Sequence, residues 1–369
     1  MITLIKKTLQ SIFKKLAYKI YFLFYGKING FIKPNSDARI TVDILSINKD
    51  LNYKVFKIKE GRLYTDHVHD AAAIIDDKII DDASFQLRDN RNSIITNNIV
   101  FEKGTPRKLK EIRGTVLSLL TGGGGNYNYW HWLYDVLPRI KLCNEFTKLD
   151  LVDFFLFPSL SKKFQLESLE MLKIPKKKLL SSKRFRHIKT SNLIITDHPY
   201  NITEDPHFDA QNIPKWVIDW LKENFIFKDT DKRNYPKKIY IDRSDSTSNV
   251  AKYRSLVNES EIKEILKADG FKSIILNELS FNEQIKYFNN ADFVVGLHGA
   301  GFANLTFCKN NTKVLEFKMY KTGKVIENLA KTNSLKYDSI ECNAISHDES
   351  KQLGHIKIPL DILKEKINS

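Results

Sequence analysis

The stretch that most constrains this chain is Asp292-Phe-Val-Val-Gly-Leu-His298-Gly299-Ala300-Gly301-Phe-Ala-Asn304. Residues 293–297 are apolar apart from Gly296 and read as a buried strand. A histidine and two glycines follow, and a helix start at Phe302-Ala-Asn-Leu comes next. A strand that ends in glycines and opens a helix offers bare backbone N–H groups at a positive helix end, which suits an anion such as a phosphate. The flanking segments alternate. Strands read at Lys238–Asp242, Phe271–Leu276, Phe293–Leu297 and Thr312–Phe317, and helices at Glu259–Ala268, Ser280–Asn290 and Lys324–Thr332. Ser280 with Glu283 three residues on is a capping box. This order predicts an α/β fold with a parallel, doubly wound sheet.

The chain has 369 residues, a length that suits two domains. Residues 38–100 read as a β-rich lead-in, with strand patterns at ARITVDILSI, YKVFKI, AAAIIDD and SIITNNIVFE. Val116–Leu120 is a further strand, leading into Gly122–Gly125 and a helix from about Tyr129 to Asn144, kinked at Pro138. His131 and Asp135 are four apart and share a face of that helix. Residues 151–157 and 193–196 read as strands, and 162–172 and 216–225 as helices. The polar stretch 228–238 marks the expected boundary. The expected parts are 1–35 (helix and linker), 36–228 (N-terminal domain) and 229–369 (C-terminal domain). There is no internal repeat of solenoid length.

The net charge is +15. Lysines are spread over the whole chain, so a Lys/Asn/Ile-rich composition accounts for most of it. No RRM, KH or helix-turn-helix pattern supports nucleic-acid binding. Residues 4–25 place Leu4, Ile5, Leu9, Ile12, Phe13, Leu16, Ile20, Leu23 and Phe24 at helical spacing, with five lysines interleaved. Such a helix either lies on an anionic membrane surface or packs on the protein's own core. Its lysines interrupt the apolar run that a signal peptide needs. Three separated cysteines, with no CxxC pair, suit a reducing compartment, and a cytoplasmic protein at the inner face of the membrane is expected.

In open parallel sheets, ligands bind outside the carboxyl ends of the strands. Those ends read Asp242-Arg243, Asn277-Glu278, His298–Gly301 and Glu316. A phosphate contact by Arg243, a backbone cradle at Gly299, Ala300 and Gly301, and a ribose contact by Glu316 together describe a nucleoside diphosphate site. Arg254 and Asn258 follow in a loop over the same edge, and an arginine fork suits phosphate. In the first half, His131 and Asp135 are either a base and its orienting partner or a core histidine beside an Asp135–Arg139 pair. There is no P-loop, no GxGxxG with a following acid and no nucleophile elbow. Asp229-Thr-Asp231 is formally a DxD but reads as a solvated turn. His67-Val-His69 is a weak metal fragment, and Asp76-Asp77 and Asp81-Asp82 read as charged turns.

Two blocks together resemble glycosyltransferase family 61, found in bacterial capsule synthesis and among eukaryotic xylosyl- and N-acetylglucosaminyltransferases. The first is Asn128-Tyr-Trp-His131-Trp-Leu-Tyr-Asp135-Val-Leu-Pro-Arg139. The second runs from Tyr240-Ile-Asp-Arg243 through Arg254, Asn258-Glu259, Leu279–Gln284 and Val295–Asn304 to Val314-Leu-Glu316. Phe302-Ala303 stands where the family more often has Leu-Thr, which leaves the backbone cradle intact.

The resemblance implies a GT-B fold of two Rossmann-like domains facing a cleft, an inverting reaction and no required metal or other cofactor. The donor would be a nucleotide-sugar, with UDP-sugar favoured, bound by Arg243, Arg254, Asn258, His298, Gly299, Ala300, Gly301 and Glu316. The acceptor would be a glycan or glycolipid, deprotonated by Asp135 or His131. A non-catalytic nucleotide- or glycan-binding subunit of a membrane assembly is the alternative.

Overall fold

A computed structural model describes residues 2–48, 51–67, 69–85, 94–121, 124–200, 206–227, 234–244, 254–345 and 354–368. The protein is α/β throughout and divides into two compact units. One comprises residues 1–162 and 174–206, the other residues 163–173 and 207–369. The division falls after residue 206, upstream of the polar stretch at 228–238. The helix Lys215–Phe225 goes with the second unit because Phe225 packs edge-on against Phe281 and Phe307 there.

The first unit is built on a ten-stranded mixed sheet. Its strands are β1 (Phe31–Ile32), β2 (Ile40–Asn48), β3 (Leu51–Lys59), β4 (Arg62–Thr65), β5 (Ala71–Ile75), β6 (Lys78–Ile80), β7 (Lys110–Ser118), β8 (Phe154–Phe157), β9 (Leu179–Ser181) and β10 (His187–Thr196). The lead-in is therefore not a separate layer. Its strands join the later ones along the order β1-β6-β5-β4-β10-β7-β8-β9, with β2 paired to β3 and β3 to β10. β10, β7, β8 and β9 are parallel neighbours, while β3 and β4 meet β10 antiparallel. β5 shows why this unit needs apolar residues at every position. Ala71, Ala73 and Ile75 enter a core with Phe56, Val116 and Leu193, and Ala72 and Ile74 enter another with Tyr64, Ile95 and Val100.

The run SIITNNIVFE (residues 93–102), read as a strand, instead carries a 3-10 turn (Ile95–Asn97) and most of a short helix, α2 (Ile99–Lys103). The deciding residues are polar. Asn98 caps the helix through the Val100 N–H, the Asp70 carboxylate accepts from the Ile99 N–H at 2.6 Å, and Gly104 ends the helix at φ 61°.

The first helix, α1 (Ile2–Tyr25), packs on the body of its own unit along one side. Tyr18 donates to the Lys103 carbonyl at 2.9 Å, and Tyr25 meets the His187 ring edge-on. The apolar stripe from Ile5 to Phe24 stays exposed. Among the described residues no helix is long and apolar enough to cross a membrane.

The expected helix from Tyr129 to Asn144 is interrupted. After one turn at α3 (Tyr129–His131), residues Trp132–Val136 widen into a π-helical turn, closed by the Leu137 N–H to the Trp132 carbonyl at 3.2 Å, and α4 (Arg139–Asn144) follows. Pro138 has no N–H for the α pattern, so the register change falls in the turn before it rather than as a bend at the proline.

The second unit carries a five-stranded all-parallel sheet: β11 (Lys238–Asp242), β12 (Lys272–Ile275), β13 (Phe293–Leu297), β14 (Lys313–Met319) and β15 (Lys336–Cys342). The order is β12-β11-β13-β14-β15, so the winding reverses between β11 and β13. The helices are α5 (Lys163–Met171), α6 (Pro206–Gln211), α7 (Lys215–Phe225), α8 (Glu259–Ala268), α9 (Phe281–Asn290), α10 (Val325–Thr332) and α11 (Leu360–Asn368). One sheet face buries Tyr240, Val295, Leu315 and Ile340 with Ile262, Leu266 and Leu363 of α8 and α11. On α9 the capping box is present, with both reciprocal hydrogen bonds between Ser280 and Glu283. β14 runs on to Met319 because β15 pairs with it throughout, so Glu316 sits inside a strand and not at its end.

Candidate active site

In the first unit, the chemistry gathers at the carboxyl ends of β7 and β10. The chain leaves β7, passes the glycines and enters α3, where the Asn128 side chain caps the turn through the Trp130 N–H at 2.9 Å. A Cβ on Gly125 would come within 2.5 Å of Val136, so this loop packs against the π turn only as glycine. The turn presents Asp135, 5% exposed, to three neighbours. His131 Nδ1 lies 2.8 Å from Asp135 Oδ2, the Tyr200 hydroxyl donates to Oδ1 at 2.6 Å, and His198 Nε2 stands 3.6 Å from Oδ2. The His198 ring is stacked on Phe85 and meets Tyr200 edge-on.

Burial opposes charge on both members of the pair, and their attraction outweighs it. The carboxyl of Asp135 is held well below its ordinary range by His131 and His198, and the imidazole of His131 is raised above 6.5 by Asp135. The side chain of His131 is 39% exposed, whereas Asp135 is enclosed.

The expected Asp135–Arg139 alternative does not form. Arg139 is buried and donates to the Leu120 carbonyl at 2.5 Å, to Thr196 Oγ1 at 3.0 Å and to the Thr196 carbonyl. Burial lowers its pKa to about 10, and its role is to tie the ends of β7 and β10 together. Next to it lies a cavity of about 240 Å³, lined by Ser84, Ser118, Asp197 and His198 among others. Burial pushes the Asp197 carboxyl up to about 6.

In the second unit, the expected edge is present with changed roles. Arg243 follows β11 and donates from Nη1 to the His298 carbonyl at 2.9 Å. Its guanidinium lies against Gly299, where a Cβ would come within 3.3 Å of it. A 3-10 helix runs from Ala300 to Phe307. Its first backward bond is from the Phe302 N–H to the Gly299 carbonyl, which leaves the Ala300 and Gly301 amides as the orphan donors of a helix start. A Cβ on Gly301 would meet Leu276 at 2.7 Å. Asn304, fully buried, reaches Gln284 at 3.0 Å and the Gly301 carbonyl at 3.3 Å, which fixes this turn from beneath. Arg254 has a buried Nε with no hydrogen-bond partner among the described residues. Burial and then the neighbouring Arg243 lower its pKa to about 10, while Glu316 opposes them.

Three residues expected at the donor have partners within the protein. Asn258 uses both ends of its amide on the backbone of Ile358, at 2.9 and 3.1 Å, and so anchors the segment before α11 instead of facing a ligand. Glu316 is fully buried, with Oε1 bonded to His298 Nδ1 and Oε2 accepting from the Tyr337 hydroxyl at 2.6 Å. It orients His298, and being fully buried it presents no open face to a ribose. His298 is itself 6% exposed, as the hinge between β13 and the Gly299 turn.

His67 and His69 turn to different partners, Ser182 and Asp66, so the weak metal fragment is not assembled. Among the described residues no group of three or more His, Cys, Asp or Glu is arranged to hold a metal ion. The acidic pairs form charged turns, with Asp76, Asp81 and Asp82 bonded to Arg39, Lys33 and Lys54. Asp229-Thr-Asp231 lies outside the described residues. Cys308 is core, and burial pushes its thiol up.

Sequence reasoning missed His198, Tyr200 and Tyr337. The strand-end rule that found Arg243 would have found the first two if applied to β10, because His198 and Tyr200 lie just beyond its last residue, Thr196.

The first unit thus carries an imidazole bonded to a buried carboxylate at one sheet edge, and the second carries two arginines near a helix start at another. Residues 129–315, just over half of the chain, match the family profile described as Glycosyltransferase 61. The chain belongs to glycosyltransferase family 61. It is also similar to the protein named EGF domain-specific O-linked N-acetylglucosamine transferase of Drosophila melanogaster, 28% identical over 107 residues, which cover 28% of this chain and 20% of that protein. The protein of the same name in Gallus gallus is 28% identical over 90 residues, 23% of this chain and 17% of that protein. The chain thus spans no more than a fifth of the length of these relatives.

Proposed function

We propose that the protein is an inverting, metal-independent glycosyltransferase that moves a sugar from a nucleoside diphosphate donor to a hydroxyl of a glycan or glycolipid acceptor. His131 is the base in this reading. With Nδ1 committed to Asp135, Nε2 takes the proton from the acceptor hydroxyl. Asp135 stabilises the imidazolium that forms. The acceptor oxygen attacks the anomeric carbon as the bond to the diphosphate oxygen breaks, so one displacement inverts the centre. Arg243 and Arg254 bring the two positive charges that a divalent cation would bring, and the amides at 299–301 add donors aimed at the leaving diphosphate. His298, held by Glu316, fixes the position of that turn. The GT-B class, a UDP-sugar donor and a surface-polysaccharide acceptor belong to the same proposal.

The observation that carries it is the placing of Arg254, whose Nε has no hydrogen-bond partner among the described residues, near enough to Arg243 at the carboxyl edge of a parallel sheet to feel its charge. Two like charges held together in partial burial are unfavourable without an anion between them.

A thermal-shift panel of UDP-, GDP-, CMP- and TDP-sugars tests the donor, with UDP-N-acetylglucosamine first because the relatives' names carry that sugar. A rise in Tm with one nucleotide class is expected, and no rise with any of them would refute the site. Transfer assays with and without EDTA test the metal clause, which complete loss in EDTA and recovery on adding a divalent metal would overturn.

A further inference from the structure

The helix α1 docks on the first unit by one face and leaves the other bare. Tyr18, Phe22 and Tyr25 face the body: Tyr18 bonds Lys103, Tyr25 meets His187, and Phe22 fills the space above Gly104, where a Cβ would lie 3.1 Å from its ring. At 3.6 residues per turn, the stripe of Leu9, Ile12, Phe13, Leu16, Leu23 and Phe24 lies roughly opposite. These side chains are 54–83% exposed. Burying an aromatic face inward while holding leucines and phenylalanines outward is the wrong way round for a helix whose outer side faces only water. Residues 1–36 hold seven lysines and no Asp or Glu, so the helix and the segment after it carry only positive side-chain charge.

Beneath the helix lies a second cavity, of about 600 Å³, between α1 and the body of the first unit. Lys14 of the helix and Lys103, Arg107 and Arg186 of the body line it, and Asp66 is the one carboxylate in its wall. Lys14, Arg107 and Arg186 have no carboxylate within ion-pair distance among the described residues. Tyr18, Tyr21 and Tyr64 line the same wall. A cavity with four cations, three phenols and a single acid is chemically suited to a phosphate. It opens under a helix whose outer face is suited to acyl chains.

We propose that α1 lies in the interface of an anionic membrane, and that the cavity beneath it holds the phosphate headgroup of an anionic phospholipid. The stripe enters the acyl boundary, the flanking lysines meet the headgroup layer, and Arg107 and Arg186 clamp one lipid phosphate. This would keep the enzyme at a surface where lipid-borne molecules are concentrated. It does not rest on the sugar-transfer reading, and none of the following readouts involves sugar transfer.

Flotation of the full chain with phosphatidylcholine vesicles, with and without phosphatidylglycerol, tests it. Binding to the anionic vesicles is expected, falling with salt, with far weaker binding to the neutral ones. Leu9→Glu with Leu16→Glu should abolish flotation on both. Arg107→Gln with Arg186→Gln should weaken anionic binding by roughly fivefold for each cation lost or more. It should also exceed the effect of the charge-matched Lys6→Gln with Lys19→Gln, whose side chains lie outside the cavity. Short-chain phosphatidylglycerol below its micelle concentration should raise the Tm of the wild type but not of the arginine variant, and inorganic phosphate should do so less. If the arginine variant does not fold, Lys14→Gln with Lys103→Gln takes its place. Equal binding to neutral and anionic vesicles, equal effects of the cavity and charge-matched variants, or a chain that ignores vesicles and pairs through α1 as a dimer would each overturn the proposal.

Discussion

In the proposed reaction, the burial of Asp135 and His131 assigns the base to His131. The carboxylate is enclosed, bonded on both oxygens and held far below its ordinary pKa, so it is a poor proton acceptor near neutrality. The imidazole is the more exposed partner and its pKa is raised. His131→Ala should therefore lower kcat by about 10²- to 10⁴-fold while leaving donor affinity unchanged. The acid limb of kcat/KM should lie above pH 6.5, because His131 must be neutral to act, and Asp135→Asn should move that limb to lower pH. A limb near pH 4 in the wild type would point to a carboxylate base. The signs for stability differ between the partners. The gain from the raised histidine is complete below about pH 6.5 and is lost as pH rises through its folded pKa. The gain from the depressed aspartate is complete above about pH 3.9 and is lost as pH falls through its folded pKa. Asp197 works the other way. Its pKa of about 6 means that the folded state favours the protonated form, so stability is lost as pH rises from about 4 to 6. Asp197→Asn, which keeps an acceptor for the Lys54 N–H, should raise Tm at pH 8 and have little effect at pH 4, as read by calorimetry.

Among the elements, those in which local chemistry and burial agree are the ones legible in the sequence. α8 spans the expected Glu259–Ala268, and α9 starts at its capping box. Ser280→Ala should cost about 1 kcal/mol of stability, measurable by urea unfolding, with no change in Tm shift by the donor. Where local signals conflict, reading fails. The run SIITNNIVFE is β-branched and apolar, yet a carboxylate from elsewhere in the chain, Asp70, captures its Ile99 N–H and makes it a helix start. The π turn at 132–136 was hidden because a one-residue widening leaves the apolar pattern almost unchanged. Its cause, Pro138, was visible, but the position of the adjustment depends on Trp132 packing against Phe157 and on Val136 meeting Gly125.

For the whole molecule, the second unit is a parallel sheet wound 2-1-3-4-5, with the arginines at the edge where the winding reverses. A donor that binds there stabilises by mass action, about 2.7 kcal/mol at a hundred times its Kd. The Tm of the wild type and of His131→Ala should rise alike with saturating donor, and that of Arg243→Ala with Arg254→Ala should not. A shift that survives the arginine change would place the nucleotide elsewhere. The sequence by itself determined the alternation of strands and helices in the second unit, the strand-to-glycine turn at 293–301 and the four-residue spacing of His131 and Asp135. All of these are local, because periodicity, capping and glycine geometry act over a few residues. Only the tertiary structure decided what those groups touch. It merged the lead-in strands into one ten-stranded sheet, brought Tyr200 and His198 onto Asp135, and buried Glu316 between His298 and Tyr337. The side-chain contacts join residues 18 to 65 positions apart and the β3–β10 pairing residues 133 to 141 apart, and they depend on strand register and side-chain packing, which no window of sequence contains.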